Sequence, residues 1–182
     1  MACDISKGRL EECKDQVGGL KAVYFINFQI ARADITYDAT NTDMITAITN
    51  VDVLYKYELK GVDNTFDQDV VSDRNAGTTY FSQKLNIRLK HQDIATHKQI
   101  KLLSYGRPHI IIQTNNDQFF IMGLEQGADV VGGMISTGGE MKSASGYSLN
   151  FVADEKVPAN FLNASTSTAM LALFTSATMV TS

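Results

Sequence analysis

The stretch TYFSQKLNIRLK, residues 79–90, decides the fold class of this chain. Its apolar and polar side chains alternate strictly, which is typical of a β-strand with one buried and one exposed face. The apolar face carries Phe81, Leu85, Ile87 and Leu89. The opposite face carries Ser82, Lys84, Asn86, Arg88 and Lys90. The pattern predicts a long strand that covers a core on one side and presents a polar surface on the other.

Flanking segments predict further strands, so the sequence indicates a mainly β fold. Residues 51–60, VDVLYKYELK, alternate in the same way, and only Leu54 interrupts their polar side. Residues 20–30, LKAVYFINFQI, have apolar side chains at both odd and even positions, which indicates a strand covered on both faces. Residues 107–123 predict a hairpin whose turn lies at the Asn-Asn-Asp of residues 115–117.

One helix is predicted over residues 91–105, HQDIATHKQIKLLSY, ending before Gly106. It has two apolar stripes, and such a helix needs two partners. The first stripe comprises Ile94, Ala95, Leu102 and Tyr105. We expect the Ile94/Leu102 side to pack on the chain's own sheet, whereas Ile100 and Leu103 form a subunit interface. The alternative is that a loop of the same chain covers Ile100 and Leu103.

Residues 61–77, GVDNTFDQDVVSDRNAG, predict a long acidic loop. Its carboxylates are Asp63, Asp67, Asp69 and Asp73, opposed by a single arginine. Loops of this length inside compact domains are usually functional or disordered. Spaced carboxylates can bind calcium, but the segment lacks the turn glycine and the closing glutamate of a helix–loop–helix calcium site. We therefore expect a loop that is solvated or contacts a partner.

Length and charge narrow the class of protein. The 182 residues, 44% of them hydrophobic, suffice for a single domain over residues 1–182. A net charge of -4 argues against a protein that grips nucleic acid through a basic surface. The leader, residues 1–18, has charges where a secretory signal needs an apolar segment, and no apolar run approaches the ~20 residues of a spanning helix. We expect synthesis in the cytoplasm and no membrane partner.

The C-terminal segment, residues 163–182, is apolar, rich in serine and threonine, and uncharged. An exposed neutral strand of this kind would aggregate. We therefore expect a strand paired within the fold or with a neighbour, and residues 170–174 ordered against protein. The alternative is a disordered tail.

The sequence predicts no catalytic, cofactor or metal site. Cys3 and Cys13 do not combine with His91, His97 or His109 in a zinc-binding spacing. No GxSxG elbow is present, and the glycines do not match a phosphate-binding loop. We expect a protein that is not an enzyme and two reduced thiols, with a disulfide closing a short N-terminal loop as the alternative.

The order of the elements and several local motifs resemble the tail tube proteins of bacteriophages. Residues 102–161 contain a strand with its hairpin mate, a GLExG-like turn at GLEQG (123–127), a small-residue segment and a strand that opens with GY (146–147). The stretches ACDISKGRLEECKD (2–15) and GGLKAVYFINF (18–28) resemble the N-termini of structural proteins from phages that infect Bacteroidetes. The likeness covers most of the chain as a pattern.

The resemblance implies a β-sandwich or partial barrel with one short helix on its outer edge. Inner sheets would join across six subunits into a ring, and stacked hexameric rings would form the conduit through which DNA passes during ejection, without sequence-specific binding. The chain would be a virion protein of the tail, made in the host cytoplasm, in contact with other tail proteins. A head-completion or capsid-decoration protein, or a non-catalytic β-sandwich binding module of the tail, is the alternative.

The resemblance also implies that a long loop between early strands reaches the adjacent ring. Residues 61–77 match that loop in place and length, so their four aspartates are candidate inter-ring residues, with Lys84 and Arg88 as expected partners. One feature departs from the family pattern. The polar strand faces carry more positive charge than we expect of the wall of a conduit that must release DNA. These faces carry Lys56, Lys60, Lys84, Arg88 and Lys90. We expect them to point outward or to be masked by the acidic loop.

Overall fold

Two β-sheets and two helices make up the described part of the chain. The computed structural model describes residues 5, 7–11, 13–61 and 63–181. The strands are β1 Leu20–Ile26, β2 Ile35–Tyr37, β3 Met44–Ile48, β4 Val53–Glu58, β5 Thr65–Asp73, β6 Thr78–Lys90, β7 His109–Thr114, β8 Phe119–Met122, β9 Asp129–Ser136, β10 Gly146–Glu155, β11 Asn160–Leu162 and β12 Thr178–Val180. Helix α1 spans Ile94–Tyr105, helix α2 spans Ser167–Ala172, and a 3-10 turn spans Arg32–Asp34.

The strands form one large and one small sheet. Sheet A has eight strands in the order β12-β4-β1-β7-β8-β11-β3-β2, with parallel pairs at β11/β3 and β12/β4. Sheet B has four strands in the order β5-β6-β10-β9, and every neighbouring pair is antiparallel. Within the described ranges, both edge strands of sheet B, β5 and β9, therefore have one side without a strand partner.

The first core lies between the two sheets and is closed at one side by α1. Sheet A contributes Val23, Phe25, Ile110 and Ile112. Sheet B contributes Leu85, Ile87, Tyr147, Leu149 and Phe151. Burying each of these large side chains contributes about 1.5–3 kcal/mol to the free energy of unfolding. This core makes the fold a sandwich.

Sheet A curls around a second core on its other face. The side chains there include Tyr24, Ile45, Leu54, Ile111 and Phe119, and they pack against Met170 and Phe174 from the C-terminal segment. The backbone of Ile48 in β3 bonds to the chain ahead of β12, through the carbonyl of Leu173 at 2.8 Å and the amide of Thr175 at 3.2 Å. The sheet is thereby held in a partial barrel that does not close.

Most of the predicted strands are confirmed, and so is the mainly β fold. Residues 78–90 form β6 with the expected faces, and the hairpin turn falls between β7 and β8. Strand β1 contributes to both cores, as its apolar residues at both odd and even positions predict. The helix is α1, with Asp93 as its N-cap.

The prediction of an acidic loop was wrong, because residues 65–73 form strand β5 and pair with residues 78–86 of β6. The alternation is present but easily missed: Phe66 packs against the first core, while Asp67 and Asp69 lie on the opposite face. Strands usually disfavour aspartate, but an exposed edge strand tolerates it because the carboxylates remain in water. The tight turn at the tip occupies residues 74–77.

Two further expectations were wrong in part. The C-terminal segment is ordered, with Met170 and Phe174 buried, but its centre is helix α2 and only residues 178–180 form a strand. Thr166 starts that helix by accepting a hydrogen bond from the amide of Ala169 at 3.1 Å. Leu54, the apparent exception on β4, is fully buried in the second core, so this strand is covered on both sides.

Candidate assembly surface

The outer side of sheet B is a broad polar surface, which we call the polar face. Its side chains come from alternate positions of the four strands, opposite those that fill the first core. Along the strands, its carboxylates are Asp67, Asp69, Asp73, Asp129 and Asp154, and its cations are Lys84, Arg88 and Lys90. The surface is therefore net acidic, although β6 alone is basic.

The cations of β6 are partly neutralised by aspartates of the same chain. Lys84 Nζ lies 2.6 Å from a carboxylate oxygen of Asp69, and this hydrogen bond raises the pKa of Lys84. Arg88 Nη1 lies 3.2 Å from a carboxylate oxygen of Asp63. We expected Lys84 and Arg88 to meet these aspartates in another ring, but the pairs form within one chain. Whether the aspartates also contact another ring stays a prediction.

Two of the four aspartates have no ion pair among the described residues. Asp73 accepts hydrogen bonds from the amides of Asn75 at 2.7 Å and Ala76 at 3.1 Å, so it holds the turn at the tip of the β5–β6 hairpin. Asp67 lies directly across from Lys84 but forms no hydrogen bond to it. Both carboxylates are exposed.

The hairpin tip extends past the rest of sheet B. Strand β10 pairs with β6 only as far as Phe81, whereas β5 and β6 continue to pair from Val70/Phe81 to Asp73/Thr78. At about 3.3 Å per residue, these positions carry the tip roughly 10 Å beyond the end of β10. We call residues 69–80, whose charged side chains are Asp69, Asp73 and Arg74, the acidic tip.

Both open edges of sheet B expose apolar side chains. On β5, Val70 is 65% exposed and Val71 is also accessible. On β9, Val131 and Met134 are each 63% exposed, and Ile135 is 51% exposed. Long edge strands with apolar side chains template pairing with other chains. These edges are therefore candidate surfaces for strand pairing.

The interface expected on α1 is contradicted. Ile100 is only 4% exposed and Leu103 packs against the first core, so both face the chain's own sandwich. Ile94 is 92% exposed, and Leu102 and Tyr105 also lie largely in solvent. Two stripes do exist, but periodicity alone does not tell which one faces inward. The Tyr147 hydroxyl donates to the carbonyl of Asp93 at 3.2 Å and helps to fix the helix in this rotation.

The GLExG-like turn is built around two glycines. Gly123 has φ +67°, and a Cβ there would lie 2.6 Å from the carbonyl carbon of Gly127. Gly127 has φ +76°, and its Cβ would lie 2.7 Å from the carbonyl oxygen of Arg107. Both the left-handed backbone and the close approach exclude larger residues.

Three buried polar side chains hold this turn between the two sheets. Gln83 Oε1 accepts from the amide of Gly123 at 3.1 Å. His109 Nε2 accepts from the amide of Ile30, so its Nδ1 carries the proton and donates to the Gly123 carbonyl at 2.7 Å. Glu155 Oε1 accepts from the amides of Glu125 and Gln126, each at 3.0 Å. Burial lowers the pKa of His109 and raises the pKa of Glu155.

A basic cavity of about 760 Å³ opens at the end of sheet B opposite the acidic tip. Its cationic lining comes from Lys56 and Lys60 near the end of β4 and from Arg88 and Lys90 at the end of β6. Glu58 lies 2.8 Å from Lys60 Nζ and 3.5 Å from Lys56 Nζ. Tyr57 and Leu89 add apolar surface to the lining. We call this the basic cavity.

The cysteines, the possible metal ligands and the helices add three observations. Cys13 is exposed with a free thiol, and Cys3 lies outside the described residues. Within the described ranges, no three histidine, cysteine or acidic side chains are placed to hold a metal ion. None of the helices in those ranges is long and apolar enough to cross a membrane.

Comparison with protein-family models, with curated proteins and with solved structures found no match to this chain.

Proposed function

We propose that this chain is the structural subunit of a bacteriophage tail tube, in which six copies form a ring and stacked rings form a conduit for DNA. The observation that carries the proposal is the pair of open edges on sheet B. In the order β5-β6-β10-β9 the strands alternate in direction, so β5 and β9 run in opposite directions. A second copy added by rotation brings its β5 antiparallel to β9 of the first.

Such a contact is heterologous and therefore builds a ring when the rotation closes. Six copies would contribute 24 strands of sheet B to one continuous barrel. At ~4.8 Å between strands and a tilt of about 40°, the backbone diameter is roughly 48 Å, which leaves room for a DNA duplex after the side chains are added.

The polar face suits the wall of such a conduit. It carries more carboxylates than cations, and Asp69 and Asp63 neutralise Lys84 and Arg88. A wall rich in free lysine and arginine would hold phosphates through counterion release, whereas an acidic wall lets DNA slide. The polar strand faces are more basic than the family pattern predicts, and ion pairs within the chain reduce this excess of positive charge.

The direct test is negative-stain electron microscopy of the purified protein, together with its mass in solution. Six copies of the 20.0 kDa chain give a ring of about 120 kDa. Rings of six-fold symmetry, or hollow tubes, support the proposal. Trimers would favour a capsid-decoration protein, and a monomer at all concentrations would favour a binding module; either result overturns the tail tube proposal.

A further inference from the structure

We propose that a cleft between loops at one end of sheet A binds a neutral saccharide. The cleft has a volume of about 800 Å³ and lies between residues 40–43 after β2, residues 116–118 between β7 and β8, and residues 163–165 after β11. We call it the loop cleft. None of the described residues that line it belongs to sheet B. Copies joined through the edges of sheet B would leave it open, so this site is additional to the proposed tube.

The loop cleft is preformed by hydrogen bonds at the base of its loops. Asp38 Oδ1 accepts from the amides of Thr40 at 2.9 Å and Asn41 at 2.8 Å, which fixes the turn after β2. The amide of Phe161 donates to the carbonyl of Asp43 at 3.0 Å and joins this turn to β11. A site whose polar groups are already positioned loses less conformational entropy when a ligand binds.

The polar side chains available in the loop cleft are mostly amides and hydroxyls. Those that form no hydrogen bond among the described residues include Asn41, Thr42, Asp43, Asn163 and Ser165. An amide side chain both donates and accepts hydrogen bonds, and so does a hydroxyl group. A saccharide carries several neighbouring hydroxyl groups, each of which also donates and accepts. Its hydrogen-bonding groups therefore match those of the cleft.

Charge argues against other classes of ligand. The described lining contains no lysine, arginine or histidine, so no cation in it would pair with a phosphate or another anion. Its carboxylates are Asp43 and Asp117, and Asp117 already lies 2.8 Å from Lys21 Nζ. Within the described ranges, no three acidic, histidine or cysteine side chains are placed to hold a cation. A neutral ligand fits this lining best.

The loop cleft also has an apolar part, to which Met44 and Phe161 contribute. Phe161 is 44% exposed, and its ring centroid lies 4.5 Å from that of Phe120, which supports it from the neighbouring strand. Sites for small molecules combine apolar walls with a few polar groups and have volumes of about 300–1,000 Å³. A sugar ring has apolar C–H groups beside its hydroxyl groups, so it can use both parts of the cleft.

The test is saturation-transfer NMR with four soluble oligosaccharides, followed by titration of the one that binds best. The neutral probes are maltotriose, mannotriose and tri-N-acetylchitotriose, and the anionic probe is sialyllactose. We expect a neutral probe to bind. Asn41→Ala with Asn163→Ala should weaken its binding roughly tenfold, because two hydrogen-bonding side chains are lost. The matched control is Asn75→Ala with Asn150→Ala, which makes the same change at exposed positions outside the cleft and should leave the affinity unchanged.

Phe161→Leu tests the apolar part of the cleft separately, because it removes the aromatic ring and keeps an apolar side chain. It should weaken binding about threefold, with an unchanged Tm as evidence that the fold persists. If no neutral probe binds, if only sialyllactose binds, or if the two asparagine variants bind equally well, the inference is wrong. None of these outcomes alters the tail tube proposal, which depends on the rings or tubes seen by electron microscopy.

Discussion

The Glu155 carboxylate is nearly inaccessible to solvent, and its Oε2 atom has no hydrogen-bond partner among the described residues. Its burial raises the pKa, so the folded chain binds this proton more tightly than the unfolded chain does. The contribution to stability is full below the unfolded pKa near 4.3 and is lost as pH rises through the raised folded pKa. We expect Glu155→Gln to flatten this part of the pH dependence of Tm.

Thermal unfolding of both proteins between pH 4 and 8 measures that effect. The wild type should lose stability relative to Glu155→Gln as the pH rises through this range. Glu155→Ala is the control: it leaves the amides of Glu125 and Gln126 without an acceptor and should cost about 1–3 kcal/mol at every pH. Parallel curves for wild type and Glu155→Gln would show that the carboxyl does not titrate differently on folding.

Leu102 and Leu103 are adjacent in sequence but lie in different environments. Leu103→Asp places a charge against the first core and should lower Tm by roughly 10 °C, because a chain of this size loses 2–4 °C per kcal/mol and the change costs about 3 kcal/mol. Leu102→Asp, at a side chain that is 54% exposed, should leave Tm within about 2 °C. Equal losses in the two variants would contradict the rotation of α1.

At the level of elements, the proposed ring depends on the open edges of sheet B. Natural sheets block edge pairing with lysine, so Val131→Lys with Ile135→Lys should leave a folded monomer that forms no rings. Val131→Lys alone and Met141→Lys form the matched comparison with one added lysine each, because Met141 is fully exposed in the loop after β9 rather than on the edge itself. Mass in solution distinguishes the outcomes, and rings of normal size from the double variant would exclude β9 as the contact.

In the proposed assembly, we expect the β5–β6 hairpin to be needed for the stacking of rings but not for ring formation. Val70 and Phe81 are cross-strand partners, so residues 71–80 can be replaced by an Asn-Gly turn that joins them directly. All ten replaced residues are exposed, and the fold and the rings should persist while long tubes disappear. Electron microscopy gives both readouts, and tubes of ordinary length from the shortened chain would remove the hairpin from the inter-ring contact.

Elements differ in how readily the sequence predicts them. Strand β6 alternates over its whole length, and β1 carries apolar residues of both parities, so both were predicted with the correct faces. Strand β5 was mistaken for a loop because its alternating aspartates resemble a solvated segment; only Phe66 and its partner Leu85 reveal the register. Helix α2 is six residues long and is stabilised by burial of Met170, a tertiary contact that the helix propensities of the residues do not predict.

The whole molecule shows why assembly surfaces are harder to predict than a fold. The two apolar stripes of α1 were predicted, but the stripe that packs on the chain's own sheet was chosen wrongly. Ile100 and Ile94 are the same residue type, and they differ only in which part of the fold lies next to each side chain. The basic cavity joins residues of β4 and β6 that are about thirty positions apart, and the turn at Gly123 depends on Gln83, His109 and Glu155 from three strands. These residues come together because of the order of the strands in the two sheets, and local sequence patterns do not specify that order.

Amide hydrogen exchange on assembled particles tests the central claim, that copies join through the two open edges of sheet B. We expect the backbone amides of β5 and β9 that point away from the sheet to exchange rapidly in an isolated chain, since no described strand pairs with them. In the assembled state we predict that β5 and β9 become as slow to exchange as the central strands β6 and β10. Particles in which β5 or β9 still exchanges rapidly along its length would contradict the account.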